Sequence, residues 1–219
     1  VPEDVGRQLL LWANRVEWGI TDPFLGADLS FFVFTVPLLR AAVTFALIAC
    51  FLLFTVVLAG YAATGSLQLG QGGVGISAEA RKHLGTLAAG FLLLLAARYA
   101  LGRPILLYTG TSDVQGIFGF TDAQARLPAL RIEAGLAVLA AIGVFFGARR
   151  ARFLPVAAGV AGLVLGSILV GQVWPALVQR FQVVPNEFAR ERRFIEENIE
   201  FTRLGYGLDD FERTDFEAV

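Results

Sequence analysis

From Ala41 to Ala63 the chain reads AAVTFALIACFLLFTVVLAGYAA, without one charged side chain, and this run constrains the fold more than any other feature. A bilayer's hydrocarbon core is about 30 Å thick and is crossed by roughly 20 apolar residues at 1.5 Å each. A backbone amide left unpaired in lipid costs several kcal/mol, so such a run must satisfy its hydrogen bonds internally, as a helix does. The run extends back to about Pro37, and three others follow it. His83 to about Leu101 carries Arg98 near its end, Leu127 to about Gly147 carries Arg131 and Glu133 in its first turns, and Phe153 to Val178 holds no charge, with Gln172 and Trp174, and the small Ser167, as polar-capable side chains. The alternating pattern of a membrane barrel is absent. The predicted fold class is all-α: a polytopic membrane bundle of about four transmembrane helices with interfacial amphipathic helices beside it.

Composition narrows the function classes. Hydrophobic residues make up 56% of the chain and charged residues 17%, which is too oily for an ordinary soluble domain. A formal net charge of -1 supplies no field to attract nucleic acid. With a single cysteine, Cys50, and a single histidine, His83, the chain can form no internal disulfide and no cysteine-based metal site. Cys50 reads as packing within an apolar run, and His83, beside Arg81 and Lys82, as an interfacial residue. The glycines from Gly70 to Gly75 lack the lysine and the preceding strand of a phosphate loop. No catalytic, cofactor or metal-ligating constellation emerges, so no enzyme activity and no cofactor are expected.

Three regions follow along the chain. Residues 1–36 are too polar to span and too aromatic to be solvent loop, so they should lie along the membrane surface, with Gln8 to Val16 amphipathic. Within them Thr21-Asp22-Pro23 has the form of a helix start, and Pro37 should begin or bend the first span. Residues 37–178 form the transmembrane bundle. Its connections are a glycine-rich flexible linker from Thr64 to Ser77, a long solvent-side loop from Gly102 to Arg126 with a helix cap at Thr121-Asp122, and a short turn from Ala148 to Arg152 that makes the last two spans antiparallel neighbours. Residues 179–219 leave the membrane as an amphipathic helix, Asn186 to Leu208, with Phe188, Ile195 and Ile199 on one face. Its four-residue like-charge pairs, Glu187 with Glu191 and Glu196 with Glu200, call for a partner surface.

Small residues at four-residue spacing, Gly143 and Gly147 on the third span and Ala158, Gly162 and Gly166 on the fourth, are the candidate helix-packing positions. Trp12, Trp18, Arg98, Arg131 and Trp174 are the candidate interfacial anchors, with apolar bodies or stems and polar tips. Arginines in short loops, at Arg81, Arg149, Arg150 and Arg152, suggest a cytoplasmic side, but basic residues are more numerous near the other face, so charge alone does not orient the bundle.

Three blocks, taken together, resemble uncharacterised protein family 0182, large bacterial multi-pass membrane proteins. They are Gly19-Ile20-Thr21-Asp22-Pro23-Phe24 continuing from Asp28 through Phe34 to Pro37; Gly119-Phe120-Thr121-Asp122-Ala123 with Leu127-Pro128-Ala129; and Trp174-Pro175 followed by Val184-Pro185-Asn186-Glu187, Ile195, Asn198-Ile199, Thr202-Arg203 and Tyr206-Gly207-Leu208-Asp209. The departures are small: Phe194 stands where tyrosine is usual, and Leu204-Gly205 precedes Tyr206 where an alanine is usual. The resemblance implies a longer parent, with helices before Val1, a large extracytoplasmic domain after Asp209, and both ends of this segment outside the cytoplasm of a bacterial cell. It implies no particular activity.

Packing signals without chemistry point to a scaffold or accessory subunit whose partners are the lipid bilayer and other membrane subunits or a second copy, and not nucleic acid. The alternative is a component of a transporter or channel. That reading needs polar groups near mid-membrane, whereas Arg40, Arg98, Arg131 and Glu133 all fall near helix ends, where interfacial anchoring accounts for them.

Overall fold

The apolar runs become four long helices in the computed structural model, which describes residues 2–70, 73–111 and 117–208. A first helix, α1 (Pro2–Ala13), precedes an irregular segment, and the four long helical stretches, Phe31–Ala63, Ala78–Thr109, Asp122–Arg149 and Phe153–Gly205, are each long and apolar enough to cross a membrane. Their regular parts are α2 (Val36–Ala63), α3 (Ala78–Thr109), α4 (Leu127–Arg149), α5 (Phe153–Ile168), the single turn α6 (Trp174–Val178) and α7 (Glu187–Gly205). The fold is an all-α polytopic bundle in which α2, α3, α4 and α5 each pack mainly on their neighbours in sequence.

Four widened π-helical turns share one cause. They cover Phe31–Thr35, Asp122–Arg126, Leu169–Val173 and Gln179–Val183, and each lies just ahead of a proline: Pro37, Pro128, Pro175 and Pro185. A proline inside an α-helix lacks the amide hydrogen and collides with the carbonyl four residues back. In all four places the residue before the proline instead donates to the carbonyl five back, as Val36 does to Phe31 and Leu127 to Asp122. The wider turn moves the obstructing carbonyl aside and the helix continues.

Several connections differ from expectation. No helix starts at Asp22; its carboxylate accepts the amides of Phe24 (3.0 Å) and Leu25 (2.5 Å) and closes a single turn that Gly26 (φ 67°) ends. The proposed linker after Ala63 contains a β-hairpin, β1 (Leu67–Gly70) paired antiparallel with β2 (Gly73–Ile76). The expected loop from Gly102 is helical as far as Thr109, because Pro104 and Leu106 are buried and packing offsets the lost hydrogen bond. Its one glycine before Pro104 serves packing: a Cβ on Gly102 would sit 3.0 Å from Leu130. The sequence beyond Leu208, where an exterior domain is expected to begin, lies outside the described residues.

The core sits where α3, α4 and α5 meet, and it is built of small side chains. Ala96, Ala137, Ala140 and Leu163 form one layer; Ala89, Ala141 and Val144 form the next. Small residues let backbones approach, which is how membrane helices gain dispersion contacts without a hydrophobic drive. A Cβ on Gly85 would lie 2.2 Å from that of Ala148, and one on Gly143 would lie 2.8 Å from the Pro155 carbonyl oxygen. Tyr99 and Ser167 are hydrogen bonded at 3.2 Å across the α3–α5 contact.

Candidate functional site

The most elaborate polar and aromatic arrangement lies at one end of the bundle, where residues from four distant parts of the sequence meet. It begins with the turn between α3 and α4. Asp122, 1% exposed, accepts the amide of Thr111 at 3.0 Å, the Thr111 hydroxyl, the Gly119 amide at 3.2 Å and the Arg126 guanidinium at 2.8 Å. The bond to Gly119 is the reach-back half of a capping box, satisfying one of the amides that a helix start leaves free. A buried carboxylate with four donors, one of them a paired arginine, is well compensated. Gly110 (φ 44°) enters the turn where a Cβ would strike the Ile117 carbonyl.

The next amide, that of Phe120, is satisfied by α7. Both carboxylate oxygens of Glu191 accept it, at 3.0 and 3.2 Å, so an acidic residue 71 positions away completes the helix start and meets the positive end of the helix dipole. Thr121 donates its hydroxyl to Gln179 on the preceding stretch of the same arm. Around these bonds stands an aromatic cluster. Phe194, 5% exposed, stacks on Phe24 at 5.7 Å and meets Phe118 and Phe120 edge-on at 6.0 and 6.4 Å, while Phe24 and Phe118 lie 4.7 Å apart. Leu106 completes the buried set. The guanidinium of Arg190 covers the Phe120 ring at 5.1 Å and that of Arg193 covers Phe24 at 5.8 Å, which seals the cluster with cations.

Phe24 is presented by a loop with its own carboxylate brace. Asp28 accepts the amides of Gly19 (2.8 Å), Ser30 (2.9 Å) and Trp18 (3.2 Å). The Ser30 hydroxyl and amide, with the amides of Trp18 and Gly19, hold the Asp28 carboxyl down at about 2. Beside the cluster a cavity of about 300 Å³ opens between this loop and α7, lined by Trp18, Phe32, Leu107, Phe118, Asn198 and Phe201 among others.

The face by which α7 docks on the bundle is not its apolar stripe. Phe188, Ile195 and Ile199 are 76%, 43% and 54% exposed, and the helix is held by Glu191 and Phe194 instead, with Asn198 lining the adjoining cavity. Apolar periodicity picked out the stripe with more aliphatic residues, whereas docking is decided by one ring and one carboxylate that fit a preformed helix end.

The packing candidates divide in the same way. Gly143, Gly147 and Gly166 face close neighbours: Cβ atoms there would lie 2.8 Å from the Pro155 oxygen, 2.6 Å from Val156 and 2.2 Å from Leu136. Ala158 and Gly162 are turned outward, and Gly162 has open space where a side chain would go. A strict four-residue repeat drifts around a 3.6-residue helix, and the face of α5 against α4 runs through Val156, Gly159, Leu163 and Gly166. Gly85 and Gly159 were missed because neither stood out as part of a pattern.

Of the anchor candidates, Trp12 lies under the Arg15 guanidinium at 4.7 Å, and Trp18 meets Phe34 edge-on at 5.9 Å. Trp174, Arg98 and Arg131 are exposed on the spanning stretches. Glu133 is 7% exposed and turned inward against Gly171, where a Cβ would strike its carboxylate. His83 pairs with Tyr61 at 3.2 Å, and Cys50 donates weakly to the Leu87 carbonyl at 3.6 Å. Among the described residues no three His, Cys, Asp or Glu side chains converge as a metal site would require.

The N-terminal loop and α7 thus form a clasp on the helix start at Phe120, and the elements that meet in it are those that carry the three sequence blocks: Asp22 and Phe24 from the first, Phe120 to Asp122 from the second, and Asn198 from the third. The model of the uncharacterised protein family UPF0182 matches residues 4–219. Similar proteins include UPF0182 proteins of Kineococcus radiotolerans, 39% identical over 96% of this chain and 21% of the relative, and of Geotalea uraniireducens, 39% identical over 97% of this chain and 24% of the relative. Another, from Clavibacter sepedonicus, is 36% identical over 97% of this chain and 22% of the relative. The chain thus spans less than a quarter of the length of these relatives, and no solved structure matches it. By the extent of that match, the chain belongs to uncharacterised protein family UPF0182.

Proposed function

We propose that this segment is a structural unit of a larger bacterial membrane protein: a membrane bundle that holds, through its clasp, the helix leading out to a domain on the exterior side, and so serves as a scaffold or accessory subunit of a membrane assembly. The observation that carries this reading is the Glu191 carboxylate on the Phe120 amide beside the buried Phe194 ring. A helix with an exposed aliphatic stripe and a docked polar-aromatic face is suited to fixing direction, and its exposed Phe188, Ile195 and Ile199 remain available to a partner. Partner subunits or a second copy would also find Ala158 and Gly162 on the outward side of α5. In this reading both ends of the segment lie outside the cytoplasm.

The experiment is gentle solubilisation of native membranes followed by mass spectrometry of what co-purifies with the full chain. Stoichiometric companion subunits that dissociate when Gly162 is changed to leucine support the scaffold. A lone protein, unaffected by that change, contradicts it.

Glu133 favours a second reading. A carboxylate buried in a spanning helix is costly unless a pathway or a partner justifies it. Transport predicts that Glu133→Gln abolishes solute or proton movement in proteoliposomes while assembly stays intact.

A further inference from the structure

We infer that the groove between α2 and α3 is a binding site for the phosphate headgroup of an anionic phospholipid. The groove has a volume of about 210 Å³ and is lined by the guanidinium-bearing side chains of Arg40 and Arg98, with Thr44 as a hydroxyl donor and Leu101 and Ile105 among its apolar walls. Both arginines are exposed on membrane-spanning helices, and no carboxylate lines the groove. Among the described residues neither arginine has an ion pair. The one buried acid at this level, Glu133, lies in the adjoining cleft against Gly171, beyond Leu130, which lines both. Arg103 and Arg131 add further positive charge nearby, close enough to repel each other.

Depth selects the occupant. Arg98 is about 17 residues from Arg81 along α3, roughly 25 Å at 1.5 Å per residue. That is close to the thickness of a hydrocarbon core, so with Arg81 and Lys82 at one boundary the Arg40–Arg98 pair falls at the other. A free anion would have to leave water to reach it, whereas a lipid phosphate already lies there with acyl chains beside the apolar walls. Two guanidinium groups around one phosphate are a strong charge-assisted arrangement, and basic pockets between spanning helices suit anionic headgroups. The arginines are therefore a headgroup clamp as well as anchors.

Native mass spectrometry of the full chain, released from nanodiscs of equal parts phosphatidylcholine and phosphatidylglycerol, tests this. The expected result is a bound phosphatidylglycerol, little phosphatidylcholine, and no displacement by excess inorganic phosphate. In the Arg40→Gln/Arg98→Gln variant retention should fall at least tenfold, while Arg40→Lys/Arg98→Lys keeps most of it. Equal retention of the two lipids by the unaltered chain would overturn the proposal whatever the variants do. So would an undiminished adduct on the glutamine variant, or displacement by phosphate.

Discussion

The carboxylate of Glu191 lies 3.0 Å from the backbone nitrogen of Phe120, so a side chain on the last helix completes the first turn of another. Helix starts usually find their caps within a few residues; here one cap, Asp122, is local and the other comes from 71 residues away. Replacing Glu191 by glutamine weakens a charged acceptor without changing its size. We expect a loss of about 1.5–3 kcal/mol in the docking of α7, seen as faster proteolytic cleavage between α6 and α7. Glu200→Gln, on the exposed side of the same helix, should leave cleavage unchanged.

Phe194 and Phe188 separate the two faces of α7. Truncating buried Phe194 to alanine should cost about 3–5 kcal/mol and lower the melting temperature in detergent. Phe188→Ala, at a 76% exposed position, should stay within about 0.5 kcal/mol.

Gly85 and Gly162 make the corresponding contrast in the bundle. Gly85→Leu forces a side chain into Ala148 and should destabilise the bundle by about 1–3 kcal/mol or more. Gly162→Leu points into open space and should leave the melting temperature of the isolated chain unchanged, acting only on association with partners. Thermal unfolding of the two variants in one detergent checks both.

The acid response of the N-terminal loop follows from Asp28. Its carboxyl is held at about 2 against an ordinary value of 3.8. The folded form therefore binds this proton more weakly than the unfolded form, and the contribution of Asp28 is complete above about pH 4 and is lost as pH falls towards 2. Tryptophan fluorescence of the unaltered chain should show an acid step in that window, through Trp18 whose amide Asp28 accepts. Asp28→Asn should remove the step.

Much of this architecture could be read in the sequence because membrane spans are a matter of length and hydropathy, which single residues do not overturn. Helix ends were less legible. Pro37 reads as a start or bend, yet a widened turn ahead of it lets the helix run through, as it does ahead of Pro128 and Pro175. The clasp was visible only in pieces: Asp122 as a cap, and α7 as a helix in need of a surface. Nothing in local periodicity joins Phe24, Phe118 and Phe194, because an aromatic cluster assembled across the chain leaves no repeat. Gly159 and Gly85 escaped for the same reason, since a close helix approach depends on the partner's side chain as much as on the glycine.

The N-terminal loop and the last helix are locked together through the bundle's end. A double-mutant cycle on Phe24 and Phe194, each changed to leucine singly and together and read by unfolding of the full chain, tests it most directly. Stacked rings in contact should show a coupling of about 0.5–1.5 kcal/mol. Strict additivity, within about 0.3 kcal/mol, would mean that the two residues do not meet and would contradict the clasp.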